Sequence, residues 1–379
     1  MVQRKRAMLI LALFAMLMAF LLPSSYALFR MWQTTADEAK LAESERTGVS
    51  YLQPLTSLLG KLVDAQSAAA KGETVDAGAV RAAIEEVNDI DRLHGDELLA
   101  TERWAPLPDQ IESALSRSAH GPDALNAYAV PVGLAQTLLG HIGATSNAVR
   151  DPDLAAFSLA DGALFSVPEV MVNASAIVAL ARNATPQTSA IAVAQDRITK
   201  ATTELGNELH LVDDETTSRG GFAQLTLVDN LTAASLAMIK ASGRPSLSAA
   251  STLVEIDAAQ TRLQKSATAL AEGLLAELDS ILESRANLLD EEHQRILIAA
   301  SLAAVAAVGL VWICLVVARR RIAPWVVPGE ESQDRRPDLA SPDVEPRMAA
   351  LVGERGMQMS GGAPIRREPA QWAQPAGHP

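Results

Sequence analysis

The chain has 379 residues, of which only 4% are aromatic, and it carries a formal net charge of −13 at pH 7. Strands concentrate aromatic and β-branched residues, so this composition argues against a sheet core and predicts an all-α protein. The acidic charge argues against a nucleic-acid partner. The 6 histidines have neither the spacing nor the cysteine partners of a metal site, and no nucleophile or phosphate-binding motif is present, so the sequence predicts no catalytic residue, no metal, no cofactor and no enzymatic activity.

Two uncharged apolar runs, residues 7–29 and 296–318, enclose the large polar part of the chain. Each is long enough to cross the roughly 30 Å hydrocarbon layer of a bilayer as a helix. Basic residues collect on the cytoplasmic side of such spans. The pattern therefore predicts a plasma-membrane protein with both termini cytoplasmic. The basic residues lie on the outer flanks, with Arg4, Lys5 and Arg6 before the first run and Arg319, Arg320 and Arg321 after the second.

This topology divides the chain into five parts. The first apolar run can also be interpreted as a cleavable signal peptide, because small residues around Ala27 follow an apolar core at Ala7–Leu22. Either interpretation leaves the central domain outside the cell. We expect a cytoplasmic N-terminus at 1–6, transmembrane helix 1 or a signal peptide at 7–29, an extracytoplasmic helical domain at 30–295, transmembrane helix 2 at 296–318 and a Pro-rich, disordered cytoplasmic tail at 319–379.

Glycine, proline and aspartate punctuate the exterior domain at helix-sized intervals. A first helix should run from about residue 29 to Lys71, with a kink at Pro54 and a stop at Gly72. Asp76 should open the second helix. Further helices are predicted at about 108–119, 123–149, 153–180, 187–210 and 213–242.

The last exterior helix carries the clearest pattern. After Pro245, apolar residues recur at roughly 3.5-residue spacing, and no helix breaker separates them from the second apolar run. We expect one continuous rod of about 70 residues, or about 105 Å at 1.5 Å per residue, so that small shifts outside would reach the cytoplasm. The apolar positions are Val254, Leu263, Ala267, Leu270, Leu274, Leu278, Ile281 and Leu288.

Three local motifs resemble the extracytoplasmic helical sensor region of bacterial methyl-accepting chemotaxis receptors and related sensor kinases. Residues 45–55 read Glu-Arg-Thr-Gly-Val-Ser-Tyr-Leu-Gln-Pro-Leu, Gly-Asp-Glu-Leu at 95–98 is followed by Trp104, and residues 146–154 read Ser-Asn-Ala-Val-Arg-Asp-Pro-Asp-Leu. The resemblance implies a membrane-anchored, elongated bundle of stacked four-helix-type modules between two transmembrane helices. It also implies a homodimer in the inner membrane. The family's cytoplasmic output domains are not expected in residues 319–379, because prolines interrupt that segment.

Polar residues of these motifs are the candidate ligand-binding residues, and two interpretations of them stay open. In the first, they contact a polar solute. In the second, Asp151 or Asp153 caps the following helix, while Arg46 and Tyr51 form interhelical hydrogen bonds. The candidates are Asn147, Arg150, Asp151, Asp153, Asp161, Arg46 and Tyr51.

These observations predict a non-enzymatic transmembrane receptor. It would detect an extracytoplasmic solute, or a solute-loaded binding protein, and pass the signal to a separate cytoplasmic signalling protein. Arg319, Arg320 and Arg321 would serve as the docking surface for that protein or only as topology signals. The alternatives are a structural envelope scaffold that dimerises and tethers a partner, or a receptor remnant that lacks its output domain.

Overall fold

All secondary structure in the described part of the chain is helical. The computed structural model describes residues 2–117, 119–183, 185, 187–216, 224–244, 246–247 and 249–320, and no strand occurs among them. The prediction of an all-α fold is therefore confirmed. Of the predicted disordered tail, residues 321–379 lie outside the described residues, and Arg321 is among them.

The helices follow one another with short connections. A 3₁₀ turn, Ala148–Arg150, precedes α6, and a π-helical turn, Gly162–Ser166, joins α6 to α7. The helices are α1 (Val2–Lys71), α2 (Ala77–His94), α3 (Thr101–Trp104), α4 (Leu107–Ser116), α5 (Pro122–Thr145), α6 (Leu154–Asp161), α7 (Val167–Ala181), α8 (Thr188–Thr216), α9 (Leu225–Ser242) and α10 (Ala250–Arg320).

Several helix boundaries follow from local chemistry. Gly72 adopts φ +74°, a left-handed conformation that ends α1 at the expected residue. The Asp76 side chain accepts a hydrogen bond from the Ala79 amide at 3.0 Å and caps α2 as predicted. Helix α1 continues through Pro54, and the kink predicted there stays a prediction. The helix predicted at 213–242 is α9, which begins only at Leu225, because α8 extends to Thr216.

The helices of the bundle share one hydrophobic core. Helix α1 is central to it and packs against α2, α5 and α7. Gly48 of α1 lies against Ser146, the residue that follows α5, and Ser67 of α1 donates a hydrogen bond to Ser175 of α7 at 2.8 Å. Helix α10 contacts α1 as well, since Gln264 donates a hydrogen bond to the Gly60 carbonyl. The stacked four-helix-type modules that the resemblance implied stay a prediction.

The core is built from leucines on α1 and α10 and from valine, isoleucine and alanine side chains on α7. On α10, Leu263, Leu270 and Leu274 are fully buried, as the apolar spacing predicted. Val254 and Leu288 are instead 66% and 64% exposed. Val254 lies nine residues before Leu263, or about 2.5 turns at 3.6 residues per turn, so it is on the opposite face of the helix. Leu288 lies two heptads after Leu274, where a strict 3.5-residue pattern has drifted about 40° off the buried face. The buried face passes through Ile256 and Leu289 instead of these two residues.

Among the described residues, two helical segments are long and apolar enough to cross a membrane. The first, Leu154–Ala181, has an apolar window of which 78% is buried within the bundle, so it is a core segment of the fold. The second, Ala250–Ile313, has an apolar window of which only 6% is buried, and it contains most of the second predicted span. Helix α10 runs unbroken over 71 residues, about 105 Å at 1.5 Å per residue. The first apolar run is helical within α1, but most of its side chains lie outside the description, so its membrane role stays a prediction.

Candidate functional site

Three carboxylates surround one guanidinium where α1, the α5–α6 connection and α10 meet. The Arg285 Nη1 atom lies 2.8 Å from Asp151 Oδ2 and 3.4 Å from Glu45 Oε2, and Nη2 lies 3.5 Å from Asp153 Oδ2. The Glu45 and Asp151 side chains are 0% and 1% exposed, whereas Arg285 is 26% exposed. We call these four residues the Arg285 cluster.

Local backbone geometry brings the carboxylates together. Gly48 lies one turn after Glu45, and a Cβ atom at Gly48 would overlap the Ser146 side chain, so glycine allows the end of α5 to approach α1. Asn147 adopts φ +71°, which turns the chain out of α5. Asp151 Oδ1 then accepts the Asp153 amide at 2.9 Å, and Asp153 Oδ1 accepts the Ala155 amide at 2.9 Å as the cap of α6.

The charges in the Arg285 cluster are unbalanced, with three carboxylates facing a single guanidinium. Burial of Glu45, reinforced by the Asp151 carboxylate, raises the pKa of Glu45 to about 7, while Arg285 and the Asn147 amide act in the opposite direction. The Oε1 atom of Glu45 is buried and accepts no hydrogen bond of standard geometry. An ionised carboxylate in this position is unfavourable, so the cluster favours a proton on Glu45 near neutral pH.

The structure places the predicted residues of the 147–161 segment in different surroundings. Asp151 and Asp153 belong to the Arg285 cluster, and Asn147 borders it. Asp153 is also the helix cap that the second interpretation expected. Arg150 is exposed. Asp161 lies eight residues beyond Asp153, about 12 Å along α6, and its pKa is raised by burial and by Glu204 of α8.

The two candidates on α1 make interhelical contacts. Arg46 Nε lies 3.5 Å from Asp279 Oδ1, with both side chains about 40% exposed. The Tyr51 ring is fully buried, and its hydroxyl donates to Asp91 Oδ1 at 2.9 Å. Burial and the Asp91 carboxylate raise the pKa of the Tyr51 phenol above its ordinary value. A ligand contact by either residue stays a prediction.

Sequence reasoning missed Arg285 and did not select Glu45. Arg285 follows Leu278 and Leu282, two buried positions of α10, at the spacing of the next buried position. An arginine on the buried face of a helix needs carboxylate partners, because an unpaired charge is costly to bury. That signal pointed to a buried ion pair, but the identity of its partners depended on contacts across 134 and 240 residues of chain.

A polar groove runs along the surface where α1 and α10 pack together. It consists of two neighbouring cavities of about 480 and 450 Å³ that share Thr268 and Glu272. Each volume falls in the range of small-molecule sites. We call this pair of cavities the α1–α10 groove. Its charged and amide side chains include Asp64, Lys71, Gln260, Gln264, Lys265 and Glu272.

One buried amide at the groove has an oxygen atom that no other side chain or backbone group hydrogen-bonds. The Gln264 side chain is 5% exposed and lines the larger cavity. Its Nε2 atom donates to the Gly60 carbonyl at 3.4 Å, while Oε1 is buried with no hydrogen-bond partner. Nearby, Lys71 Nζ donates to Gln260 Oε1 at 3.3 Å. The groove therefore offers donors, acceptors and both signs of charge to a polar solute.

The part of the chain that the structure describes contains no group of three or more His, Cys, Asp or Glu side chains arranged to hold a metal ion. A scan against protein-family models, a search of curated proteins and a search of solved structures each found no match to this chain. The resemblance to chemotaxis receptors thus stays a prediction that depends on the motifs quoted above.

Proposed function

We propose that this chain is a non-enzymatic transmembrane sensor of the bacterial inner membrane. It detects an extracytoplasmic solute, or a solute-loaded binding protein, and passes the signal to a cytoplasmic signalling protein. The observation that carries this proposal is the continuity of α10. One helix lines the α1–α10 groove, holds Arg285 and continues into an exposed apolar segment.

The mechanism needs a ligand that distinguishes two packings of the bundle. A solute in the α1–α10 groove would contact both helices that lead towards the predicted spans. Its binding would favour whichever packing gives it the better contacts, and only that difference in affinity can shift the equilibrium. Helix translations of about 1–2 Å are a common result of such shifts. Because α10 is continuous, a translation outside would move its inner end, where Arg319, Arg320 and Arg321 would meet the partner.

A thermal-unfolding screen tests the proposal. The full chain in lipid nanodiscs is heated in the presence of metabolites and candidate solute-binding proteins. A ligand at 100 times its Kd would stabilise the bundle by about 2.7 kcal/mol. We expect at least one such shift, and we expect Gln264→Leu to weaken it, since Gln264 lines the groove. Glu112→Gln, on the exposed face of α4, is the control and should keep it.

The results distinguish a failure of the sensory function from a failure of the assigned binding site. The absence of any shift across the screen would contradict the sensory function. If Gln264→Leu leaves the thermal shift unchanged, the solute binds outside the α1–α10 groove. The topology is tested independently by reporter fusions after residue 40 and at the C-terminus. These should report outside and inside, and any other pattern contradicts the two-span arrangement.

A further inference from the structure

We propose that the Arg285 cluster is a proton-operated latch: protonated Glu45 holds α1, the α5–α6 connection and α10 together, and ionised Glu45 loosens them. The proposal rests on the proposed function only for its physiological meaning, because it adds external acidity as a regulator of the same sensor. The latch itself is a property of the bundle and can be measured without a ligand.

The geometry gives Glu45 an incomplete set of partners. The closer contact of Arg285 goes to Asp151 at 2.8 Å, and Glu45 Oε2 has the longer one at 3.4 Å. The second oxygen, Oε1, is fully buried and accepts no hydrogen bond of standard geometry, and the nearby Asn147 amide offsets only part of the effect of burial. Ionisation of Glu45 thus places a negative charge beside the Asp151 carboxylate, where one shared guanidinium must compensate both. Protonation removes that charge and leaves the Arg285–Asp151 pair intact.

Several other charged groups lie on the same three elements. On α1, Arg46 pairs with Asp279 of α10. In the α5–α6 connection, Arg150 is exposed, and Asp153, the third carboxylate of the cluster, is 41% exposed and caps α6. Below the cluster, His293 of α10 lies edge-on to the Trp32 ring of α1 at 6.2 Å. This ring contact also joins α1 to α10, so a test of the latch must separate His293 from Glu45.

The direction of the pH effect follows from the shift of Glu45. Burial and Asp151 raise its pKa from 4.5 to about 7 in the folded chain. The folded state therefore binds the proton more tightly than the unfolded state. The stabilisation is fully present below pH 4.5 and is lost as the pH rises through about 7. Asp161 and Glu208 have raised pKa values as well, so their titration also makes the bundle less stable as the pH rises.

The latch lies close to the predicted transmembrane part of α10. Arg285 lies eleven residues before Ile296, about 16 Å along α10 at 1.5 Å per residue. Glu45 lies on α1, the other helix that leads to an apolar run. Loosening the cluster would release α10 from α1 close to the predicted membrane surface. Neutral exterior pH would thereby weaken the connection between the groove and the inner end of α10, and acid pH would strengthen it.

The test is hydrogen exchange of the full chain in nanodiscs at pH 5 and pH 8, corrected for intrinsic exchange rates. In the wild type we expect amides around 42–49, 148–153 and 282–289 to exchange at least tenfold faster at pH 8. Glu45→Gln, which mimics the protonated acid, should keep these amides protected at both pH values. Two controls, His293→Gln and Glu112→Gln, should behave as the wild type does.

A second measurement does not depend on how well the Glu45→Gln variant folds. Infrared difference spectra of the wild type between pH 5 and pH 8 should show a buried carboxylic-acid C=O band that titrates near neutral pH. Asp151→Asn should move its midpoint to lower pH, because it removes the neighbouring negative charge. The latch is overturned if the wild type exchanges equally at both pH values, if Glu45→Gln keeps the wild-type pH dependence, or if no such band titrates. A solute-induced thermal shift at constant pH would still support the sensor in those cases.

Discussion

Replacing Arg285 by leucine should destabilise the bundle far more than a surface substitution does. The change leaves the buried Glu45 and Asp151 carboxylates without their shared cation. Removing one partner of a fully buried pair costs about 3–5 kcal/mol. Because Arg285 is 26% exposed, we expect the lower end of this range, about 3 kcal/mol at pH 7.5. For a domain of this size, that loss lowers the unfolding midpoint by about 6 °C, at roughly 2 °C per kcal/mol.

The assay is thermal and urea unfolding of the full chain in nanodiscs, followed by circular dichroism. Arg46→Leu is the matched control, since Arg46 pairs with Asp279 while both side chains are about 40% exposed. An exposed pair of this kind contributes under about 1 kcal/mol. At pH 5 the cost of Arg285→Leu should shrink, because Glu45 is then protonated. Equal effects of the two substitutions at pH 7.5 would refute the reasoning about the cluster.

Three further substitutions test other contacts of the bundle by the same unfolding assay. Gly48→Ala should cost about 1–3 kcal/mol, because the new Cβ atom would overlap a side chain of α5; a neutral result would mean that the two helices separate easily. Tyr51→Phe should cost about 1 kcal/mol through loss of the hydrogen bond to Asp91, and a gain in stability would contradict that bond. Leu274→Ala should cost about 2–5 kcal/mol, because Leu274 is in the core. Leu288→Ala should change stability by less than about 0.5 kcal/mol, because Leu288 is 64% exposed. Similar costs for the two substitutions would contradict the assignment of the buried face of α10.

Features set by neighbouring residues were predictable from the sequence. Gly72 ends α1 because its backbone adopts a positive φ angle, and Asp76 and Asp153 cap helices because their side chains reach amides two or three residues ahead. These interactions need no knowledge of the rest of the fold. The continuity of α10 was predictable for the same reason, since no proline or glycine cluster interrupts it.

Features set by distant contacts were not predictable. Nothing in the sequence around Arg285 indicates that Asp151, 134 residues away, is its closer partner. The packing of α2, α5 and α7 around α1 is likewise not specified by helix periodicity alone.

Two of the three motifs that carry the resemblance, the first and the third, meet in the folded chain. Gly48 of the first lies against Ser146 of the third, and Glu45 and Asp151 share Arg285. In the corner that follows α2, Trp104 Nε1 donates to Asn88 Oδ1 at 2.9 Å. Their spacing therefore has a physical reason in this fold: the motifs fix how α1, α2 and the α5–α6 connection pack.

The most direct test of the central claim is a distance measurement across α1 and α10. Spin labels are placed at the exposed positions Glu38 and Asp290 of the full chain in nanodiscs, with Cys314→Ser to remove the native thiol. Their separation is measured with and without a solute that raises the unfolding midpoint in the screen. The account predicts a displacement of about 1–2 Å on solute binding. An identical distance distribution in the free and solute-bound protein would contradict signal transmission through α10.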